Sequence, residues 1–501
     1  MVFSDRRASA IPGPAERSNE RRDRLREDDA SPAERERLLG AVAESRRQTE
    51  DLRKQVEAAN RRRAADAANL GRAYSILADA CNELEKSRRS HLWYWRLREI
   101  LRGRGGRRAA DPGLGSSRPA SPPAPGVPAL YDVVCFPIIE WEFRFQRPQQ
   151  LLSRFAAAGH RVFYLSHRFR RKGAPWEIVE RGRNVFEVTL LGPRRNVYRS
   201  APSAAAAERI FRSLDALRRD AAIGPAAALV QLPFWWPVVR RARRELAWPV
   251  VYDCMDLHTG FSTNSSDMVE LEEDLLKSAD LVAVSSALLE SRARERNANV
   301  RMIRNACDYD HFASAPSVRH PRPVVGYYGA IADWFDVPLV TALARRCPDL
   351  DFVLVGSTWS SDVRALSRLP NVRLVGERPY DEIPGWLGAF DVAFIPFRRT
   401  PLTEATNPVK AYEIFAAGKP LVSVDLPELR AFDGLVRIAG DAASFEKEIR
   451  SALAEDPAAA QRRRDFARAH TWQRRYEELA PAIGAAFPHF GAPADPSSGS
   501  P

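Results

Sequence analysis

Two consecutive α/β domains with parallel, doubly wound sheets, facing each other across a cleft and preceded by a helical segment, are the architecture this sequence predicts. Three observations carry it. From Tyr131 onward short apolar runs alternate with helical stretches, the pattern of βαβ units. That alternation restarts at Pro323, after a polar interval around 314–322. The first quarter has another composition altogether, rich in Ala, Glu, Arg and Leu, and 501 residues are too many for one domain.

Residues 1–30 are charged and poor in aromatics, so disorder is expected there. Over 31–102 a helix is expected, with Leu38, Val42, Leu52, Val56, Leu70, Leu77 and Leu84 on steps of three and four. The register reads as a parallel coiled-coil dimer, although it puts Ser45, Arg63 and Asp66 at core positions, and a solvated single helix is the alternative. The end of that helix holds most of the chain's formal excess of +12. Between Lys86 and Arg108 nine cations face one anion, Glu99, beside Leu92, Trp93, Trp95, Leu97, Ile100 and Leu101. Apolar bulk among arginines suits an anionic membrane surface first, a partner helix second and a polyanion third. Because the excess is local, nucleic acid is not the expected partner. Residues 103–128, rich in Gly, Pro, Ala and Ser, read as a flexible linker.

The first folded domain is expected over 129–315. Strands are expected at YDVVCF, RVFYL, NVFEVTLL, AALVQL, PVVYD, DLVAVS and VRMIRN, with helices near 148–157, 203–219, 236–246, 267–278 and 286–294. The second domain, 316–456, repeats the pattern through PVVGYYG, DFVLVG, NVRLVG, VAFIPF and PLVSV, with helices near 336–347, 361–368 and 383–389. Helices follow over 457–490, with Phe466, Trp472, Tyr476 and Leu479 on one side, and 491–501 read as disordered.

The most informative stretch is TNPVKAYEIFAAGKPL, Thr406 to Leu421. Asn407 reads as an N-cap, Pro408 as the first helical residue, and Gly418 with Pro420 as a stop. A helix start with Lys410 in its first turn is suited to phosphate. Glu413, three residues on, shares its face and can accept hydrogen bonds from a diol. An ordinary surface ion pair is the alternative at this level.

Five scattered cysteines show neither a CxxC pair nor disulfide-like spacing, which fits a reducing compartment without structural zinc. No apolar leader and no run of eighteen apolar residues is present, so the expected location is cytoplasmic, with the basic segment offering peripheral attachment to the inner face of the plasma membrane. Walker A, HExxH and GxSxG signatures are absent.

Five stretches in order, WEFRFQRPQQLLSRFAAAGHRVFYL, VVYDCMDLHTGF, IRNACDYDHF, VVGYYGAIADWFD and LTEATNPVKAYEIFAAGKPLVS, resemble the family 4 glycosyltransferases. These are retaining enzymes of the two-Rossmann GT-B fold, and the chain looks most like the bacterial branch associated with cell-envelope polysaccharide. The resemblance covers Tyr131 to Thr471. It implies transfer of a sugar from a nucleotide-diphosphate donor to a glycan or lipid-linked hydroxyl, without metal or other cofactor. It implies catalytic roles for Lys410, His258 and Asp256, donor binding by Glu413, Asn407, Gly326, Gly329, Arg378 and Arg398, and an acceptor-side role for Arg147. Two departures stand out. The first glutamate of the family's E-x7-E motif falls on Ala405, with Glu404 one place off, and the cation pair after Gly329 is replaced by AIADWFD. They motivate one alternative, a non-catalytic GT-B binding module; a second, a coiled-coil adaptor, takes the N-terminal third as the functional part.

Overall fold

The computed structural model describes residues 130–487 apart from 194–195, 261–264, 317, 319, 359–360 and 433. The expected disordered ends at 1–30 and 491–501, the coiled coil at 31–102 with its basic end, and the linker at 103–128 lie outside the described residues. No described helix is long and apolar enough to cross a membrane.

The first domain runs β1 (Asp132–Phe136), α1 (Arg147–Ala157), β2 (Val162–Leu165), β3 (Trp176–Gly182), β4 (Val185–Leu190), α2 (Ala204–Asp220) and β5 (Ala226–Val230). It continues through α3 (Trp236–Leu246), β6 (Val250–Cys254), α4 (Ser266–Ser278), β7 (Leu281–Val284), α5 (Ala287–Arg294), β8 (Val300–Met302) and α6 (Tyr309–Ala313). Its sheet has the order β3-β4-β2-β1-β5-β6-β7-β8, parallel except for β3. Strands β1, β5 and β6 are buried at every position, as strands covered on both faces must be. The edge strand β3 is not anticipated by the sequence reading. Of its seven residues only Ile178 is buried, so the apolar run that marks the other strands is missing, and one antiparallel neighbour holds it.

The second domain runs β9 (Val324–Tyr328), α7 (Val337–Arg346), β10 (Asp351–Val355), α8 (Arg364–Ser367), β11 (Val372–Gly376), α9 (Ile383–Gly388), β12 (Val392–Ile395), α10 (Pro401–Glu404), α11 (Val409–Ala416), β13 (Leu421–Ser423), α12 (Pro427–Arg430) and β14 (Val436–Ile438). Its sheet order, β11-β10-β9-β12-β13-β14, reverses direction between β9 and β12. In open parallel sheets ligands bind at the carboxyl ends of the strands flanking such a reversal. Within β9, Gly326 lies under Phe390: a methyl there would come within 2.1 Å of the ring.

After α13 (Ala442–Leu453) and α14 (Ala458–Ala469), Thr471 starts a new helix, α15 (Trp472–Ala486), accepting a hydrogen bond from Arg474 N–H. The break divides the aromatic residues that the sequence places on one side. Phe466 packs with Tyr412, Phe415 and Phe432 of the second domain, whereas Tyr476, Leu479 and Ile483 join the core between the first sheet and α1. The chain thus returns to the first domain.

A buried polar network ties the two domains as well. Asn305, after β8, donates from N–H to Asn407 Oδ1 at 2.9 Å and from Nδ2 to the Asn407 carbonyl at 2.6 Å. Asn407 Nδ2 donates to Glu428 Oε2 at 2.9 Å, and that carboxylate also accepts from Arg304 Nε at 3.0 Å and, through Oε1, from Ala287 N–H at 2.8 Å. Glu428 is 4% exposed and Asn407 1%. Deleting one member leaves buried donors without acceptors.

Two outcomes are expected. Glu428→Ala should cost about 3 kcal/mol in urea unfolding and separate the transitions of the two domains, because three donors lose their shared acceptor. Gly326→Ala should cost about 1–3 kcal/mol by overpacking against Phe390, while Gly385→Ala, where an added methyl meets nothing within 4 Å, should not destabilise.

Candidate functional site

Helix α11 begins where the second sheet reverses. Its N-cap is Pro408, with extended ψ of 109°, and no side chain caps it. This corrects the expected cap: Asn407 spends both amide groups on Asn305 and Glu428, so it holds the domains together rather than facing a ligand. Gly418, at φ +73°, ends the segment as expected.

In the first turn of α11, Lys410 is half-buried, its Nζ 5.5 Å from the ring centre of Tyr327 on β9 and 5.2 Å from that of Phe397 after β12. Those two strands flank the reversal, so the cation stands at the switch point. Gly329 follows β9 with φ +124°, and a methyl there would lie 3.2 Å from Lys410 Cε and Nζ. Its lack of a side chain keeps the space beside the ammonium open. Gly326 does not share this role. It is roofed by Phe390 inside the sheet, which corrects the expectation that both glycines approach a phosphate.

Glu413 is 7% exposed and accepts a hydrogen bond from the Tyr328 hydroxyl at 2.6 Å. Burial pushes its carboxyl up to about 7, against the lowering effects of that hydrogen bond and of Lys410. Burial likewise brings Lys410 down to about 8, against the raising effect of Glu413. Burial thus opposes the charged form of each group while their mutual attraction favours it.

Across from them, the β1–α1 loop of the first domain reaches the β11–α9 loop. Arg144 Nε bonds Glu377 Oε1 at 2.8 Å, Gln150 Nε2 donates to the Tyr380 hydroxyl at 2.7 Å, and Phe145 lies 5.4 Å from the Tyr380 ring. Tyr380 stacks on His311 at 4.4 Å with the planes 9° apart. Tyr328, Tyr380 and Arg144 escape the sequence reading, although Tyr328 and Arg144 lie inside the motif stretches it quotes.

The remaining candidates are placed elsewhere. Arg147 does not open into the cleft: its Nε and Nη2 pair with Asp253, the latter at 2.7 Å, and its Nη1 bonds Asn305 Oδ1 at 3.1 Å. At 2% exposure its role is to anchor α1 to β6 and to the interdomain network, which corrects the acceptor-side expectation. Asp256 and His258 follow β6. His258 is buried, and burial brings its imidazole down to about 4 although Asp256 opposes the shift, so it is neutral at physiological pH. Burial raises the Asp256 carboxyl, with His258 and Arg147 pulling the other way. Arg378 is exposed and lies 5.6 Å from the Trp386 ring centre; Arg398 is exposed, and Arg399 pairs with Glu404 at 2.9 Å.

Ala405, where a family glutamate would stand, is fully buried within the first-domain core, and Leu402 packs there too. Separately, a cavity of about 130 Å³ in the first domain is lined by Glu140, Ser166, Arg168 and Arg181. Among the described residues no three His, Cys, Asp or Glu side chains are placed to hold a metal ion.

Comparison with known proteins agrees with this layout. Residues 337–480 match the family model described as Glycosyl transferase-like. TuaH of Bacillus subtilis (strain 168), whose name gives it a glycosyltransferase role in teichuronic acid biosynthesis, is 30% identical over 201 residues, 36% of this chain and 51% of TuaH. The chain thus spans about half the length of that relative. Sucrose-phosphate synthase from Thermosynechococcus elongatus superimposes with a TM-score of 0.59 at 16% identity, over 72% of this chain and 100% of that one. Anabaena HepE in complex with UDP-glucose superimposes at 0.52 with 14% identity, over 70% and 99%. The chain therefore has the GT-B glycosyltransferase fold, with two parallel-sheet Rossmann-like domains of which the second carries the glycosyl transferase-like match.

Proposed function

We propose that the protein is a glycosyltransferase of cell-envelope polysaccharide synthesis, taking a sugar from a nucleoside-diphosphate donor and passing it to a hydroxyl of a glycan or lipid-linked acceptor with retention. The observation that carries this reading is Lys410 at the sheet reversal, beside Gly329 and one turn before Glu413, within the family-matched segment. Lys410 would neutralise the diphosphate and its development as leaving group, and Glu413 would accept hydrogen bonds from the ribose diol. Front-face attack, with the departing diphosphate helping to deprotonate the acceptor, leaves the protein the work of positioning and charge stabilisation. His258, held neutral, and Asp256 would contact the transferred sugar. The names of the similar proteins support the reading: one is tied to an envelope polymer and one binds UDP-glucose.

One observation favours a second reading. Ala405 is sealed in the first-domain core and Glu404 is turned to Arg399, so neither supplies the family's first carboxylate. A nucleotide-sugar binding module without turnover is consistent with that loss. Release of nucleoside diphosphate from a panel of sugar nucleotides, dependent on donor and acceptor, separates the two.

Lys410→Ala should lose about 2–4 kcal/mol of transition-state stabilisation, read from kcat/KM, with the fold intact by circular dichroism. The pH dependence has a definite sign. A bound diphosphate favours the ammonium, so the complex retains a proton that the free protein sheds as pH rises through about 8. Affinity for nucleoside diphosphate should then fall above pH 8, by at most about tenfold per unit, and Lys410→Arg should flatten that limb because a guanidinium stays charged.

The segment 86–108 would hold such an enzyme near a membrane-borne acceptor. Full-length protein should sediment with vesicles containing anionic lipid and not with neutral ones. Raising salt, or changing Trp93 and Trp95 to Ala, should release it, since attraction decays over about 8 Å at physiological ionic strength. Equal binding to both vesicle types removes the membrane from the proposal.

A further inference from the structure

A donor diphosphate carries more negative charge than one lysine balances, and of the second-domain arginines nearest in sequence two are engaged, while Arg398 is exposed after β12. Arg399 is paired with Glu404, and Arg378 lies over Trp386 with its Nη2 bonded to the Val375 carbonyl at 3.4 Å. The opposing domain offers a further cation. Arg144 stands on the β1–α1 loop, which Phe145 and Gln150 press against Tyr380, and its Nε bridges to Glu377 at 2.8 Å.

That bridge has the character of a placeholder. The side chains of Arg144 and Glu377 are 28% and 37% exposed, so solvent screens the pair and breaking it costs little. Glu377 occupies one edge of the guanidinium, and among the described residues the two Nη groups have no hydrogen-bond partner. A planar fork with unused donors matches phosphate oxygens. Gly376, the residue before Glu377, bridges Gly356, where an added methyl would meet the carbonyl of Gly329, the glycine beside Lys410; the charge of Arg144 acts on Lys410 in the same direction as burial.

We propose that Arg144 is the second cation of the diphosphate site, exchanging Glu377 for phosphate oxygens when a nucleoside diphosphate enters. The inference rests on the reading of Lys410 and Glu413 as the donor site. It also accounts for the missing cation pair after Gly329, because a first-domain residue takes over its charge.

Calorimetric titration of the full chain with UDP, GDP, ADP and dTDP, and with the matching monophosphates, tests it. For the diphosphate that wild type prefers, Arg144→Gln should raise Kd about tenfold, and for its monophosphate less than threefold. Glu377→Gln should bind at least as tightly as wild type, since it frees the guanidinium. Weakening of binding by Glu377→Gln would mean that the ion pair itself matters and would overturn the exchange. Equal weakening of diphosphate and monophosphate by Arg144→Gln would assign the residue to domain packing and overturn the proposal too. If Lys410→Ala weakens binding while Arg144→Gln leaves it at the wild-type value, the donor site stands and the role of Arg144 falls. If wild type binds none of the panel, both fall.

Discussion

The arrangement depends first on a buried polar relay that crosses from one domain to the other. Arg147 opens α1 and is neutralised by Asp253 at the end of β6; its Nη1 reaches Asn305, which hands two hydrogen bonds to Asn407, and Asn407 in turn bonds Glu428. Each member is 7% exposed or less, so each depends on its neighbours for its hydrogen bonds. Buried polar groups of this kind are costly when partnered badly and specific when partnered well. The relay passes through Asn407, one residue before Pro408, the N-cap of α11. Its geometric consequence is that the start of α11 is fixed against the first domain, not only against its own sheet.

With that start fixed, the electrostatics of α11 follow from its surroundings. Lys410 and Glu413 lie one turn apart on a helix face closed in by Tyr327, Tyr328 and Phe397, and burial drives both toward their neutral forms. The Tyr328 hydrogen bond and the mutual attraction of the pair oppose that drive without cancelling it. An incoming anion would favour the charged lysine, and a diol the charged glutamate. A site whose charged forms are opposed by burial gains from ligand charge part of what a fully solvated pair would already have obtained from water.

How much of this could be read from the sequence depends on the range of the interaction. Strands buried on both faces announce themselves as apolar runs, and the restart at Pro323 marks the second sheet. Strand β3 does not, because an edge strand with one buried residue carries no such run. Lys410 and Glu413 were legible because the α-helical repeat puts residues three apart on one face. Arg147 and Asn407 were picked out with the wrong partners: their neighbours lie 106 and 102 positions away, and no local pattern reports a contact at that separation. Gly326 and Gly329 look alike in GYYGA, yet one lies beneath a phenylalanine 64 residues on and the other beside a lysine 81 residues on. Two glycines of one motif thus serve packing and access separately.

The loss of the first glutamate of the E-x7-E pattern has a physical reading in the same terms. Helix α10 is a single turn whose Thr400 caps it, and it turns Leu402 and Ala405 into the first-domain core, where Gly260 makes room for Leu402: a methyl at Gly260 would come within 2.9 Å of Leu402 Cβ. A carboxylate at position 405 would be buried there without a partner, at a cost of several kcal/mol. Alanine is thus what this packing requires, and the contact it makes brings the α10 turn against the loop that carries His258. Asp256 and His258 stand on the loop at that junction, one with a carboxyl raised by burial and one with a neutral imidazole.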